Sequence, residues 1–168
     1  MNRLAVLAFG AAILLGAGPA TAAAPRVSIS SFSELKTPLP YPYDERADAV
    51  AQVAAAAARA KARHKLLLID LGGDWCPDCR ILAGTMELPE VKAFVRARYE
   101  VVTVDVGRFD RNLQIPARYG ITKRLDGVPS ILVVDPVHDV LVNVSALSDT
   151  RSMTPQALAD WLAQWTPN

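Results

Sequence analysis

The stretch Lys65-Leu66-Leu67-Leu68-Ile69-Asp70-Leu71-Gly72-Gly73-Asp74-Trp75-Cys76-Pro77-Asp78-Cys79 decides how this chain is read. Lys65 to Leu71 is a short, nearly continuous apolar run, the pattern of a buried strand. One carboxylate, Asp70, sits inside it, six residues before Cys76. A helix is expected to begin at the cysteines, because Pro77 then falls in a first turn, where its missing N–H costs no hydrogen bond. Cys76 and Cys79 are the chain's two cysteines in 168 residues. Joined to each other they close a loop too small to add much stability, so a structural staple does not explain them. At a helix N-terminus, unpaired amides and the dipole favour negative charge on Cys76. The thiolate is the form that attacks a disulfide.

Outward from this stretch the elements alternate. Before it, Asp44 to Arg63 reads as a helix, with Asp44 as its cap and Val50, Val53, Ala54 and Ala57 as the buried stripe. After it, Pro89 to Tyr99 reads as helix and Val101 to Val106 as strand. Asn112 to Tyr119 is a short helix strained by Pro116. Ile131 to Val134 and Val140 to Val144 make a hairpin around Asp135-Pro136-Val137-His138-Asp139. Thr154 caps a last amphipathic helix carrying Leu158, Trp161, Leu162 and Trp165, with both tryptophans expected in the core. Ala23 to Tyr43, rich in Ser and Pro, reads as an arm with a short strand near Val27 to Phe32.

In order, these features resemble the thioredoxin family. The buried acid Asp70, the Trp75-Cys76-Pro77-Asp78-Cys79 motif, Pro116 to Ile121 and the loop Gly127-Val128-Pro129-Ser130 all follow its pattern. The resemblance covers about Lys65 to Val144. It implies an α/β thioredoxin fold, a central mixed sheet flanked by helices, here with an N-terminal helical extension. It also implies a thiol–disulfide oxidoreductase, with Cys76 as exposed nucleophile, Cys79 as buried resolving thiol and Asp70 as the proton acceptor beneath them. Pro129 is expected to be cis, with Val128 offering backbone groups to an extended substrate and Trp75 forming an apolar rim. Pro77 and Asp78 are expected to tune the redox potential. Exported oxidising members carry Cys-Pro-His-Cys, and an acid in place of that histidine opposes the thiolate, so a reductant is expected. Two departures stand out. Gly72 replaces a second tryptophan, which implies a more open groove. Thr122 to Asp126 lengthens the loop before Pro129 and should lie near that groove.

Other readings stay open at this point. The cysteines could form half of a metal site, as in a copper- or other metal-handling protein on the same fold, although His64 and His138 are the only histidines to complete it. Asp70 could pair with a lysine, and Pro129 could be an ordinary trans turn residue. No cofactor and no bound metal are expected.

Composition narrows the rest. A 51% hydrophobic content excludes a disordered chain. The 18 basic and 17 acidic residues form no basic block, so nucleic-acid binding is not expected. Arg3, the apolar run Leu4 to Leu15 and Ala20-Thr21-Ala22 read as a signal peptide over 1–22, cleaved before Ala23. The alternative is an uncleaved anchor, for which the run is short of the roughly 20 residues needed. The expected organisation is therefore leader 1–22, arm 23–43 and thioredoxin-like domain 44–168, exported to a bacterial periplasm as a monomer. Its expected partners are disulfide-containing proteins and a membrane-bound thiol electron donor.

Overall fold

The computed structural model describes residues 22–143 and 147–167. The leader, cleavage site and Val144 lie outside them, apart from Ala22, whose N–H donates to the Thr166 carbonyl. The described residues form α1 (Ala49–Ala62), β1 (Leu66–Gly72), α2 (Pro77–Met86), α3 (Pro89–Arg98), β2 (Tyr99–Asp105), α4 (Gln114–Arg118), β3 (Ser130–Asp135), β4 (Val140–Leu141) and α5 (Pro155–Ala163). The strands make one mixed sheet in the order β2-β1-β3-β4. β1 pairs parallel with β2 and antiparallel with β3, which places Asp70 between Thr103 and Ile131 at the sheet's centre.

Strand β1 is buried along almost its whole length, as its continuous apolar run requires. Leu67, Ile69 and Leu71 join a core with Ala49, Ala56 and Ala60 of α1, Val104 and Leu132. Leu68 joins a second core with Leu82 of α2, Val91 of α3, Tyr99 at the start of β2, and Leu158 and Leu162 of α5. Trp161 and Trp165 are half-buried at the margin of this second core and meet edge to face at 5.7 Å. They are therefore less central than expected.

Three sequence expectations are corrected here. Helix α1 starts after Asp48, whose carboxylate accepts the Ala51 N–H, while Asp44 caps a separate turn at Arg46. The face that packs on the sheet carries Ala49, Val53, Ala56, Ala57 and Ala60, so Val53 and Ala57 lie on it as expected, while Val50 is 53% exposed and Ala54 is exposed as well. The segment Val27 to Phe32 is not a strand. Its amides donate to side chains instead: Val27 to Gln156, Ser28 to Glu90, and Ser30 and Ser31 to Glu34. A 3-10 turn, Phe32–Glu34, follows under a Ser31–Glu34 capping box. The arm is then clasped by Arg80, which donates to the Leu39 and Pro40 carbonyls and lies over the Tyr41 ring.

The hairpin strand β4 is also shorter than expected. The Val142 N–H still donates to the Val133 carbonyl at 2.7 Å, and beyond it the buried side chain of Asn143 takes over: its Oδ1 accepts the Val133 N–H at 2.7 Å and its Nδ2 donates to the Ile131 carbonyl at 2.8 Å. Leaving two buried backbone groups without these partners is costly. Asn143→Ala is therefore expected to destabilise the fold by about 2–3 kcal/mol, read as a lower urea midpoint at unchanged slope. A loss below about 0.5 kcal/mol would show that water replaces the amide.

Candidate functional site

β1 ends at Gly72, and a turn closed by the Cys76 N–H on the Gly73 carbonyl brings the chain into α2. Cys76 is the N-cap of α2, with Pro77 in the first turn as expected. The sulfur does what a capping Ser or Asp oxygen usually does: Sγ accepts the Cys79 N–H at 3.2 Å. As a thiol it donates to the Val128 carbonyl at 3.3 Å. Hydrogen bonding from Cys79 lowers the Cys76 pKa to about 7, against the opposing effects of burial and the Asp78 charge. Its bond to the Cys76 sulfur, together with burial, pushes the Cys79 thiol well above its ordinary range. The two thiols thus divide into an acidic outer one and a protonated inner one. Cys76 was expected to be exposed, but it is 3% exposed, because its sulfur is tucked between the start of α2 and Val128.

Asp70 is fully buried. It pairs with no lysine; its Oδ1 accepts the Tyr43 hydroxyl at 2.8 Å, and among the described residues Oδ2 has no hydrogen-bond partner. Burial pushes this carboxyl up to about 7, against the Tyr43 hydrogen bond, which lowers it. Burial and the Asp70 charge raise the Tyr43 phenol in turn, so it remains a donor. Tyr43 also corrects the expectation of an open groove at Gly72. A Cβ on Gly72 would lie 2.4 Å from the Tyr43 hydroxyl and 2.8 Å from the Cys79 sulfur. The strand needs glycine there because the arm's tyrosine fills that space. Sequence reading missed Tyr43. The signal available was the glycine itself, which within a strand marks close approach, but it does not say by what.

Asp78 was expected as a bare acid beside Cys76. It is buried, and Arg151 pairs with it twice: Nε at 2.8 Å from Oδ2, and the backbone N–H at 2.8 Å from Oδ1. Trp75 is 40% exposed and forms the rim. Its Nε1 donates to the Gly107 carbonyl at 2.8 Å, and its ring meets Phe109 edge to face at 6.2 Å. The Val128–Pro129 peptide is cis and Val128 is buried. In the loop before it, Leu125 is buried in the core and Arg124 lies over Phe109. The histidines stay apart from the cysteines: His64 ends α1 in a left-handed conformation, and His138 bonds Asp135 in the hairpin turn. Among the described residues no three His, Cys, Asp or Glu side chains gather as a metal-ligand set.

The thioredoxin-like family profile matches residues 48–136, more than half of the chain. A disulphide isomerase from Xylella fastidiosa Temecula1 is 35% identical, covering 75% of this chain and 97% of its own, with a TM-score of 0.62. The C-terminal domain of Neisseria meningitidis DsbD in the oxidised form shares the fold at 23% identity and a TM-score of 0.51, covering 70% of this chain and 96% of its own. A thioredoxin from Thermus thermophilus shares it at 22% and 0.50, covering 67% and 79%. Among proteins of curated function, none matches. With a redox-type cysteine pair at the start of α2 and this coverage, the chain belongs to the thioredoxin-like family of thiol–disulfide oxidoreductases.

Proposed function

We propose that this protein is an exported reductase of protein disulfides, working as a monomer and cycling Cys76 and Cys79 between dithiol and disulfide. The observation that carries the reading is the Cys76 sulfur capping α2, with its pKa brought to about 7. At neutral pH about half of such a thiol is ionised and able to attack. The Cys76 thiolate attacks one substrate sulfur, forms a mixed disulfide and releases the other as a thiolate. Asp70 takes the Cys79 proton through its unpartnered Oδ2. Cys79 then attacks the Cys76 sulfur, which expels the second substrate thiolate. Two electrons pass to the substrate, and the protein is left as the Cys76–Cys79 disulfide.

The trapping experiment follows from these roles. Cys79→Ser is expected to accumulate a mixed disulfide through Cys76, visible by mass spectrometry, and Cys76→Ser to lose reductase activity. Normal turnover by Cys79→Ser would reverse the assignment.

The Asp70 role has a pH signature. The carboxyl is about 3 logarithmic steps weaker as an acid in the fold than its ordinary value of 3.8. A raised carboxyl favours the folded state when protonated, so this contribution is complete below about pH 4 and is lost as pH rises towards 7. Each tenfold change in acid strength is worth about 1.4 kcal/mol. Asp70→Asn should therefore match the wild type in stability near pH 4 and exceed it by a few kcal/mol above pH 7, while slowing resolution of the mixed disulfide. Tyr43→Phe removes a hydrogen bond to the ionised form, so it should move the pH–rate midpoint to higher pH. An unmoved midpoint would leave Asp70 without a part in the proton transfer.

Electron flow towards substrate is supported by the modest acidity of Cys76. Strong oxidants of this chemistry stabilise their reduced form, with thiols near 3.5, whereas reducing members sit near 7. The Asp78 charge opposes the thiolate, although Arg151 compensates it more than a bare acid would allow. We expect a reduction potential of roughly −200 to −270 mV. In an oxidising compartment such a protein must be re-reduced, which calls for a membrane-bound thiol donor. Glutathione equilibration measures the potential. Thiol trapping of the extracellular or periplasmic fraction should find the pair largely reduced, on a chain that begins at Ala23. A potential above about −150 mV with a fully oxidised pair in cells would make the protein an oxidant.

A further inference from the structure

The rim beside Cys76 carries a stack that the redox chemistry does not use. Arg108 lies over the Trp75 ring with Cζ 4.3 Å from its centroid, Trp75 meets Phe109 edge to face, and Arg124 lies over Phe109 at 4.6 Å. Both arginines are exposed, as is Lys123 beside them. Among the described residues neither guanidinium has a carboxylate or carbonyl partner. Stacking occupies a guanidinium's flat face and leaves the N–H edges free. Three carboxylates of the same region bond elsewhere: Asp110 accepts the Arg108 backbone N–H, Asp74 accepts the Tyr43 N–H, and Asp105 holds Gly107 and Arg111. Asp126 is exposed two residues after Arg124.

The stack is a built feature. Phe109 has a φ of 69°, a conformation that a bulky L-residue adopts only when its surroundings enforce it. Here the Phe109 N–H donates to the Val106 carbonyl, and the Asn112 side chain donates to the Asp105 carbonyl. These bonds hold the ring against Trp75, one residue from the reactive sulfur. Leu125, buried in the core, anchors Arg124 from the other side.

Resting on the reading of Cys76 and Cys79 as the reacting pair, we propose that this rim selects protein disulfides flanked by Asp or Glu. A carboxylate beside the substrate cysteine meets two guanidinium edges already oriented and without an ion-pair partner among the described residues, whereas a lysine there meets repulsion. Forked, planar donors are suited to carboxylates, and charges at the edge of a contact act mainly on the rate of encounter.

The test uses pre-reduced protein and two matched peptides, each with one intramolecular disulfide flanked by Glu or by Lys. The second-order rate constant for oxidation of the protein is followed by thiol quantification. At low ionic strength the Glu peptide is expected to react about tenfold faster than the Lys peptide, and the ratio to collapse in 0.5 M salt by screening. Arg108→Gln with Arg124→Gln should bring the ratio close to 1, and Arg108→Glu with Arg124→Glu should invert it. A wild-type ratio within twofold of 1, or a preference that survives the double substitution, overturns the proposal and leaves the redox reading standing. If neither peptide oxidises the protein, the redox reading falls and the proposal falls with it.

Discussion

The structure depends on a carboxyl placed where water cannot reach it. Asp70 lies at the middle of the central strand, between two paired strands and beneath the cysteines. An apolar residue there would stabilise the sheet, because a buried ionisable group with one bonded oxygen is a net cost. The fold tolerates it through one hydrogen bond from Tyr43. That bond in turn requires glycine at position 72 and requires the arm to run across the domain to deliver the tyrosine. Arm, glycine and acid therefore form one unit, although 27 residues separate Tyr43 from Asp70.

The arm is consequently more than a linker. Its contacts follow a single logic, in which backbone groups that lack a strand partner find side chains of the domain. Gln156 and Glu90 take the first amides, Arg80 binds the Leu39 and Pro40 carbonyls, and Thr103 donates to the Pro42 carbonyl. Irregular backbone becomes ordered when its polar groups are satisfied in this way. Four prolines between Pro25 and Pro42 reduce the number of donors that must be matched.

The central elements were legible in the sequence because local signals determine them. A seven-residue apolar run made a buried strand, proline after Cys76 marked a helix start, and Thr154 capped α5 as read. Boundaries failed where two residues competed for one role, as with Asp44 and Asp48 at the head of α1. At the site, the positions of Cys76, Cys79, Asp70 and Trp75 followed from spacing and resemblance. What remained hidden was contributed by distant segments: Tyr43 from the arm, Arg151 from the turn before α5, and Arg108 and Phe109 from the loop after β2. Composition and periodicity describe a residue's neighbours along the chain, and these partners are neighbours only in space. The chemical sense of Asp78 changed for that reason, from a bare charge to half of an ion pair.

The shortened hairpin bears on how the molecule behaves in a crowded solution. β4 offers two residues at the edge of the sheet, and next to them the Asn143 amide occupies the ladder positions of β3. A long, flat edge is a template on which another chain can add a strand and begin aggregation. Among the described residues this edge presents no such row, since beyond the Val142 N–H a side chain rather than a strand completes β3. One amide thus ends the sheet on its β4 side and keeps that edge from growing into a neighbour.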